Sequence, residues 1–189
     1  MNQEDASIFL AGFMGTGKST VGRLLAKRLG RPFVDMDQVI EDRAGKPISR
    51  IFAEDGEPAF RALERQVVAE MAARRGIVAA AGGGAVMDPA NTAALLRGGL
   101  LVCLMARPEV IWERVRHETH RPLLERAPDK RQAILELLEK RLPIYRSLPV
   151  KIDTSDLPPE AVVEQILRIY DCGARRRRAP ASEPSRPRR

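Results

Sequence analysis

Gly12-Phe13-Met14-Gly15-Thr16-Gly17-Lys18-Ser19 follows the apolar run Ser7-Ile8-Phe9-Leu10-Ala11 and opens a helical pattern that reaches Leu29. The spacing G-x-x-x-x-G-K-S between a strand and a helix is that of a phosphate-binding loop. Its physics is local. Glycine turns aim successive backbone N–H groups inward, and the helix behind them adds the positive end of its dipole. A triphosphate suits that nest. Lys18 is placed to lie along the β- and γ-phosphates, and the Ser19 hydroxyl is a hard oxygen ligand for Mg²⁺.

Outward from this loop, strands and helices alternate. The helix from Lys18 to Leu29 carries Val21, Leu24, Leu25 and Leu29 on one face and stops at Gly30. Phe33 to Met36 reads as a second strand, Gln38 to Ala44 as a helix closed by Gly45, and Ile48 to Glu54 as a short helix ended by Asp55-Gly56. Glu57 to Arg75 is a long amphipathic helix whose apolar face is Phe60, Leu63, Val67 and Met71. The strand Ile77 to Ala81 runs into Gly82-Gly83-Gly84, and Asp88-Pro89 opens a helix to Arg97. Leu100 to Met105 is the most continuous apolar strand, followed by a helix from Pro108 to His117. His117 to Lys130 is basic and interrupted by prolines, hence a loop; Asp129 caps a helix through about Tyr145. Val150 to Asp153 is a fifth strand and Pro158 to Tyr170 a last helix. This order predicts an α/β fold, a five-stranded parallel sheet with helices on both faces in three layers. Right-handed crossovers then bring every strand-to-helix loop to one carboxyl edge, where ligands bind in open α/β sheets.

Composition narrows the class further. The chain has 189 residues, 44% hydrophobic and 30% charged, which is ordinary for one globular domain with one sizeable core. Cys103 sits in an apolar run and Cys172 near the far end, so a disulfide is not expected and Cys103 reads as core. Residues 1 to 7 are polar and acidic, and no apolar stretch approaches the length of a membrane span, so the expected location is the cytoplasm. The net charge of +7 is a tail property: residues 171–189 contribute +5 of it, with seven arginines against Asp171 and Glu183. Proline spacing, like charges and the lack of large apolar residues predict that 171–189 is disordered. A basic arm has salt-sensitive affinity for polyanions in general, and no specific nucleic acid or membrane partner is expected.

Several side chains carry chemistry. Asp35 and Asp37 lie two apart at the end of the second strand, where two carboxylates call for a shared cation or hydroxyl donors; helix capping is the plainer alternative. Gly82 to Gly84 offers bare backbone to a small ligand, or is merely a tight turn. Arg61 and Arg141 lie on helices, where an arginine is ordinarily solvated, and Arg121 in the basic loop is the type of residue that neutralises γ-phosphate charge.

The order G-F-M-G-T-G-K-S-T, D-M-D, G-E-P-A-F-R at 56–61, G-G-G at 82–84, R-P-L-L at 121–124 and R-L-P-I-Y at 141–145 resembles the shikimate kinase family, over about Ile8 to Ile169. The resemblance implies a P-loop kinase of the nucleoside-monophosphate-kinase type that moves the γ-phosphoryl group of ATP to the 3-hydroxyl of shikimate, in aromatic amino-acid biosynthesis. It implies one kinase domain over residues 1–170, substrate-binding helices at about 38–61, a lid at about 117–130 and a monomeric enzyme. It places Gly15, Thr16, Gly17, Lys18, Ser19, Thr20 and Arg121 on ATP, and Ser19 and Asp35 on Mg²⁺. Asp37 and Gly83 are implied for the shikimate hydroxyls, Arg61 and Arg141 for its carboxylate, and Lys18, Asp35 and Arg121 for catalysis. The residues Thr154 to Leu157 leave the adenine contact unassigned, and the arginine-rich tail has no counterpart in the family pattern. A kinase of the same fold acting on gluconate or a nucleoside monophosphate, and a nucleic-acid-binding P-loop protein using the tail, are the competing readings.

Overall fold

A computed structural model describes residues 6–116 and 129–178. Five strands form one parallel sheet in the order β2-β3-β1-β4-β5. They are β1 (Ser7–Gly12), β2 (Phe33–Asp35), β3 (Val78–Ala80), β4 (Gly99–Met105) and β5 (Val150–Asp153). The helices are α1 (Lys18–Leu29), α2 (Met36–Ala44), α3 (Ile48–Arg50), α4 (Gly56–Ala73), α5 (Pro89–Gly98), α6 (Pro108–Val115), α7 (Lys130–Ser147) and α8 (Pro159–Arg178).

Period-two alternation in β1 divides the core. Ile8 and Leu10 face Val21, Leu25 and Ala26 of α1 and Val162, Val163 and Ile166 of α8. Phe9 and Ala11 face the other way, into a larger cluster with Met36 and Ile40 of α2, Phe60, Val67 and Met71 of α4, Leu95 of α5, Ile111 of α6 and Tyr145 of α7. A central strand buried on both faces explains why β1 reads as a continuous apolar run. The expected three-layer α/β/α architecture is the observed one.

Local signals set most boundaries. α1 ends where Gly30 takes a left-handed conformation and its N–H bonds the Lys27 carbonyl. Asp88 caps α5 through the Ala90 N–H, and Asp129 caps α7 through the Gln132 N–H.

Four expectations are corrected. β2 ends at Asp35, because its carboxylate accepts the Asp37 N–H and starts α2 one residue later. The short helix at Ile48 widens after Arg50 into a π-helical turn, Ile51–Asp55. The buried face of α4 carries Glu64 and Val68 beside Phe60, Val67 and Met71, while Leu63 is only half-buried. α8 runs to Arg178, so the backbone of 171–178 is helical where an unfolded tail was expected. Asp171, Ala174 and the arginines that follow extend a well-anchored amphipathic helix, and alanine and arginine are strong helix formers. Residues 179–189 lie outside the described residues, as does 117–128, which holds Arg121 and all but the last two residues of the expected lid.

Candidate active site

The carboxyl edge of the sheet opens into a cleft of about 530 Å³ lined by residues 14–21 of the phosphate loop, Asp35, Asp37, Ala80, Ala81, Arg114, Thr154 and Leu157. The loop enters it by backbone necessity. Gly12 leaves β1 at φ 133°, and a Cβ there would land on the Leu104 carbonyl oxygen of β4. Only glycine lets the chain turn this close to its neighbouring strand. Inside the turn, the Thr16 hydroxyl donates to the Phe13 carbonyl at 2.8 Å, so its side chain braces the loop and leaves its backbone to face a ligand. The Lys18 ammonium donates to the Gly12 and Phe13 carbonyls, 2.9 Å each, which holds it across the loop mouth.

Ser19 and Asp35 meet beside it: the Ser19 hydroxyl donates to Asp35 Oδ2 at 2.9 Å. Asp35 therefore does two jobs, since Oδ1 caps α2 by accepting the Asp37 N–H at 3.2 Å. The capping alternative is realised for Asp35 without removing it from the cleft. Asp37 belongs to the first turn of α2 and not to a strand, yet reaches the same cleft.

Three distant segments converge on the glycine turn after β3. A Cβ on Gly82 would collide with the Asp37 carboxylate, so only glycine permits that approach. A methyl built on Gly83 would lie 3.6 Å from Arg141 Nη1, and one on Gly84 would lie 2.8 Å from Arg61 Nη1. Arg61 on α4 gives Nη1 to Glu64 at 2.7 Å, and Nε and Nη2 to Glu57 at 3.1 and 3.0 Å. Arg141 on α7 lies over the Phe13 ring at 5.9 Å, which joins α7 to the phosphate loop. Asp37, Arg61, Gly83 and Arg141 are thus neighbours in space.

Burial raises two carboxylates of this region. Burial pushes Asp37 up from 3.8 to about 6, with Asp35, Glu64 and Glu41 adding to the effect and Lys18 opposing it. Burial also raises Glu64, although Arg61 bonded to it and Arg141 nearby pull the other way. Because the folded pKa of Asp37 exceeds its ordinary value, the folded chain binds that proton more tightly. Its contribution to stability is complete below pH 3.8 and is lost as the pH rises through about 6. Asp37→Asn is expected to raise the thermal midpoint at about pH 7.5 and leave it nearly unchanged near pH 4. Calorimetric melts at the two pH values check this; an equal shift at both would mean that the carboxylate is not strained.

Two residues of this region escape the sequence pattern. Glu64 is 3% exposed, and among the described residues its Oε1 is a buried oxygen with no hydrogen-bond partner. Its signal was a charged residue at the 60, 64, 67, 71 spacing of an apolar helix face. Arg114 on α6 donates to the Gly15 carbonyl at 3.1 Å and to the Thr154 carbonyl at 2.8 Å. It forms, with Leu157 and Pro159, the cleft wall away from Asp37. Nothing local marks it, since only the β1-β4-β5 order brings residues 15, 114 and 154 together.

A phosphate loop and a lysine at one end, paired aspartates between, and two arginines with bare backbone at the other define a P-loop kinase of small molecules. A family model described as shikimate kinase matches residues 14–171. The shikimate kinase of Thermodesulfovibrio yellowstonii is 45% identical over 165 residues, 87% of this chain and 95% of that protein. That of Desulforudis audaxviator is 50% identical over 148 residues, 78% of this chain and 77% of the relative. A solved shikimate kinase from Acinetobacter baumannii, in complex with shikimate, superposes with a TM-score of 0.84 at 36% identity, covering 89% of this chain and 94% of that one. The chain belongs to the shikimate kinase family. It is accordingly an ATP-dependent phosphotransferase with an alcohol acceptor. Among the described residues, no helix is long and apolar enough to cross a membrane.

Proposed function

We propose that shikimate lies between Arg61, the glycine turn and Arg141, with its carboxylate on the two guanidiniums and its hydroxyls on Asp37 and the Gly83 backbone. The observation that carries this reading is the convergence of α4, α7 and the turn after β3 on one spot beside Asp37. Planar guanidiniums suit a carboxylate, and a carboxylate pair with backbone amides suits a polyol. The 3-hydroxyl then points toward Asp35 and the phosphate loop.

ATP takes the loop, with its phosphates on the backbone of Gly15, Thr16 and Gly17, on Lys18 and on the Ser19 and Thr20 end of α1. Arg114, Leu157 and Pro159 offer the wall for its base. Arg121 joins the phosphate side on its motif alone. Among the described residues no three His, Cys, Asp or Glu side chains form a metal cage, so a Mg²⁺ ion suits this site only as one shared with phosphates and water. The Ser19–Asp35 pair fits that role: the serine hydroxyl would ligate the ion and the aspartate would hold its water shell. Bound there, the ion would supply charge neutralisation at the β- and γ-oxygens.

The chain's own residues contribute position and charge. In a loose phosphoryl-transfer transition state little covalent work falls to the protein. Arg61 and Arg141 aim the ring, Asp37 fixes its hydroxyls, and Lys18 meets charge that develops on the transferred group. Asp35 accepts a hydrogen bond from the attacking hydroxyl, a smaller contribution than that of the cations. A coupled ADP-release assay across shikimate, gluconate and nucleoside monophosphates tests this function. Turnover with shikimate alone is expected, and faster turnover with either competitor would overturn it.

A further inference from the structure

We propose that Tyr145 is a positioning residue for the acceptor: its phenol ties the glycine turn and Arg141 into one unit, so the two groups that meet the substrate keep a fixed spacing. The inference deepens the reading above and rests on it.

Each carbonyl of the glycine turn is held, but not in the same way. The Gly82 carbonyl accepts the Ala85 N–H and the Gly84 carbonyl accepts the Met87 N–H, 3.0 Å each, so both are held by the turn itself. The middle one, of Gly83, accepts the Tyr145 hydroxyl at 2.5 Å, from a helix 62 residues further along the chain. A peptide unit is planar and trans, so fixing that carbonyl also fixes the Gly84 N–H on its opposite side. Together with the bond on Gly82, which orients the Gly83 N–H in the same manner, this sets the direction of the turn's amide face. One of the two anchors of this face is therefore a side chain of α7.

Arg141 is that helix's other contribution. It lies four residues before Tyr145, one turn away on the same face, a face continued by the buried Ile134 and Leu138. The guanidinium lies beside the phenol and favours its ionised form, but burial wins and takes the phenol up to about 12. Tyr145 therefore stays a neutral donor to Gly83 across the working pH range, with its oxygen turned to the Arg141 cation. Tyr145 is 1% exposed, so neither partner can be exchanged for water without opening the core.

A phenol that merely satisfied a buried carbonyl would matter for stability and be blind to which ligand is bound. Steady-state kinetics of Tyr145→Phe, Arg141→Ala and the double variant, with thermal midpoints alongside, separate the two cases. Tyr145→Phe is expected to raise the shikimate KM about 10-fold while kcat and the ATP KM stay within about twofold. In the Arg141→Ala background the same change adds less than its full factor, because the fixed spacing between the two groups is already lost and only the hold on the Gly83 carbonyl remains to be removed. A lowered midpoint with an unchanged shikimate KM, an equal rise in the ATP KM, or full multiplication in the Arg141→Ala background would each overturn the proposal. If Arg141→Ala itself leaves the shikimate KM unchanged, the site reading beneath it falls as well; a raised KM there with none for Tyr145→Phe sinks the positioning role alone.

Discussion

Lys18→Ala is expected to lower kcat by on the order of 10²-fold or more while shikimate binding in the absence of nucleotide stays unchanged. The ammonium lies across the mouth of the loop, 2.9 Å from the carbonyls of Gly12 and Phe13, and in the proposed reading it would turn from them to the terminal phosphates. Its charge counts most where the transferred group is most dissociated, so its loss acts on the transition state more than on either ground state. The groups proposed for shikimate are held by partners other than Lys18: Arg61 bonds to Glu57 and Glu64, and Gly83 to Tyr145. Stopped-flow or steady-state kinetics with separate shikimate titration checks the split. A near-normal kcat with a raised shikimate KM would remove Lys18 from the phosphate side.

Arg61→Lys carries the second large effect: shikimate affinity should fall about 10- to 150-fold, as expected for losing a charge-assisted contact of about 1.5 to 3 kcal/mol. An ammonium keeps the charge and loses the fork. In the proposed reading a ligand takes that fork from Glu57. Nε and Nη2 are taken by Glu57, whose side chain is 61% exposed, and an exposed ion pair contributes little and is readily exchanged. Nη1 stays on the buried Glu64 and keeps the plane of the guanidinium fixed during that exchange. ATP affinity should hardly move, because Arg61 lies outside the phosphate loop's contacts. Equal weakening of both ligands in direct titrations would instead assign Arg61 to supporting α4.

What could be read from the chain followed the range of the interactions concerned. The phosphate loop, α1 with its Gly30 stop, and the Asp88 and Asp129 caps are each decided within a few residues, and the structure has them where the residues put them. Asp35 and Asp37 were found by spacing, but the strand geometry invoked for them was wrong, because a capping bond two residues long overrides strand continuation. Arg61, Gly83 and Arg141 were legible through a family pattern and not through periodicity, since nothing in a helical arginine announces the turn it will face. Arg114 and Tyr145 matter through partners 40 to 99 residues away, which only the sheet order brings near, while Glu64 acts on Arg61 one turn before it on α4. The end of α8 escaped because a run of arginines reads as repulsion when taken alone, while a preformed helix lowers the cost of adding turns to it.

The central claim is that one cleft aligns a shikimate carboxylate on Arg61 and Arg141 with its 3-hydroxyl facing Asp35 and the phosphate loop. A crystal structure of the full chain with shikimate and MgADP tests this most directly. The account predicts the carboxylate bonded to both guanidiniums, the other hydroxyls on Asp37 and the Gly83 amide, and the nucleotide phosphates on residues 15–20. A shikimate ring bound with its carboxylate toward Lys18, or seated away from the glycine turn, would contradict it.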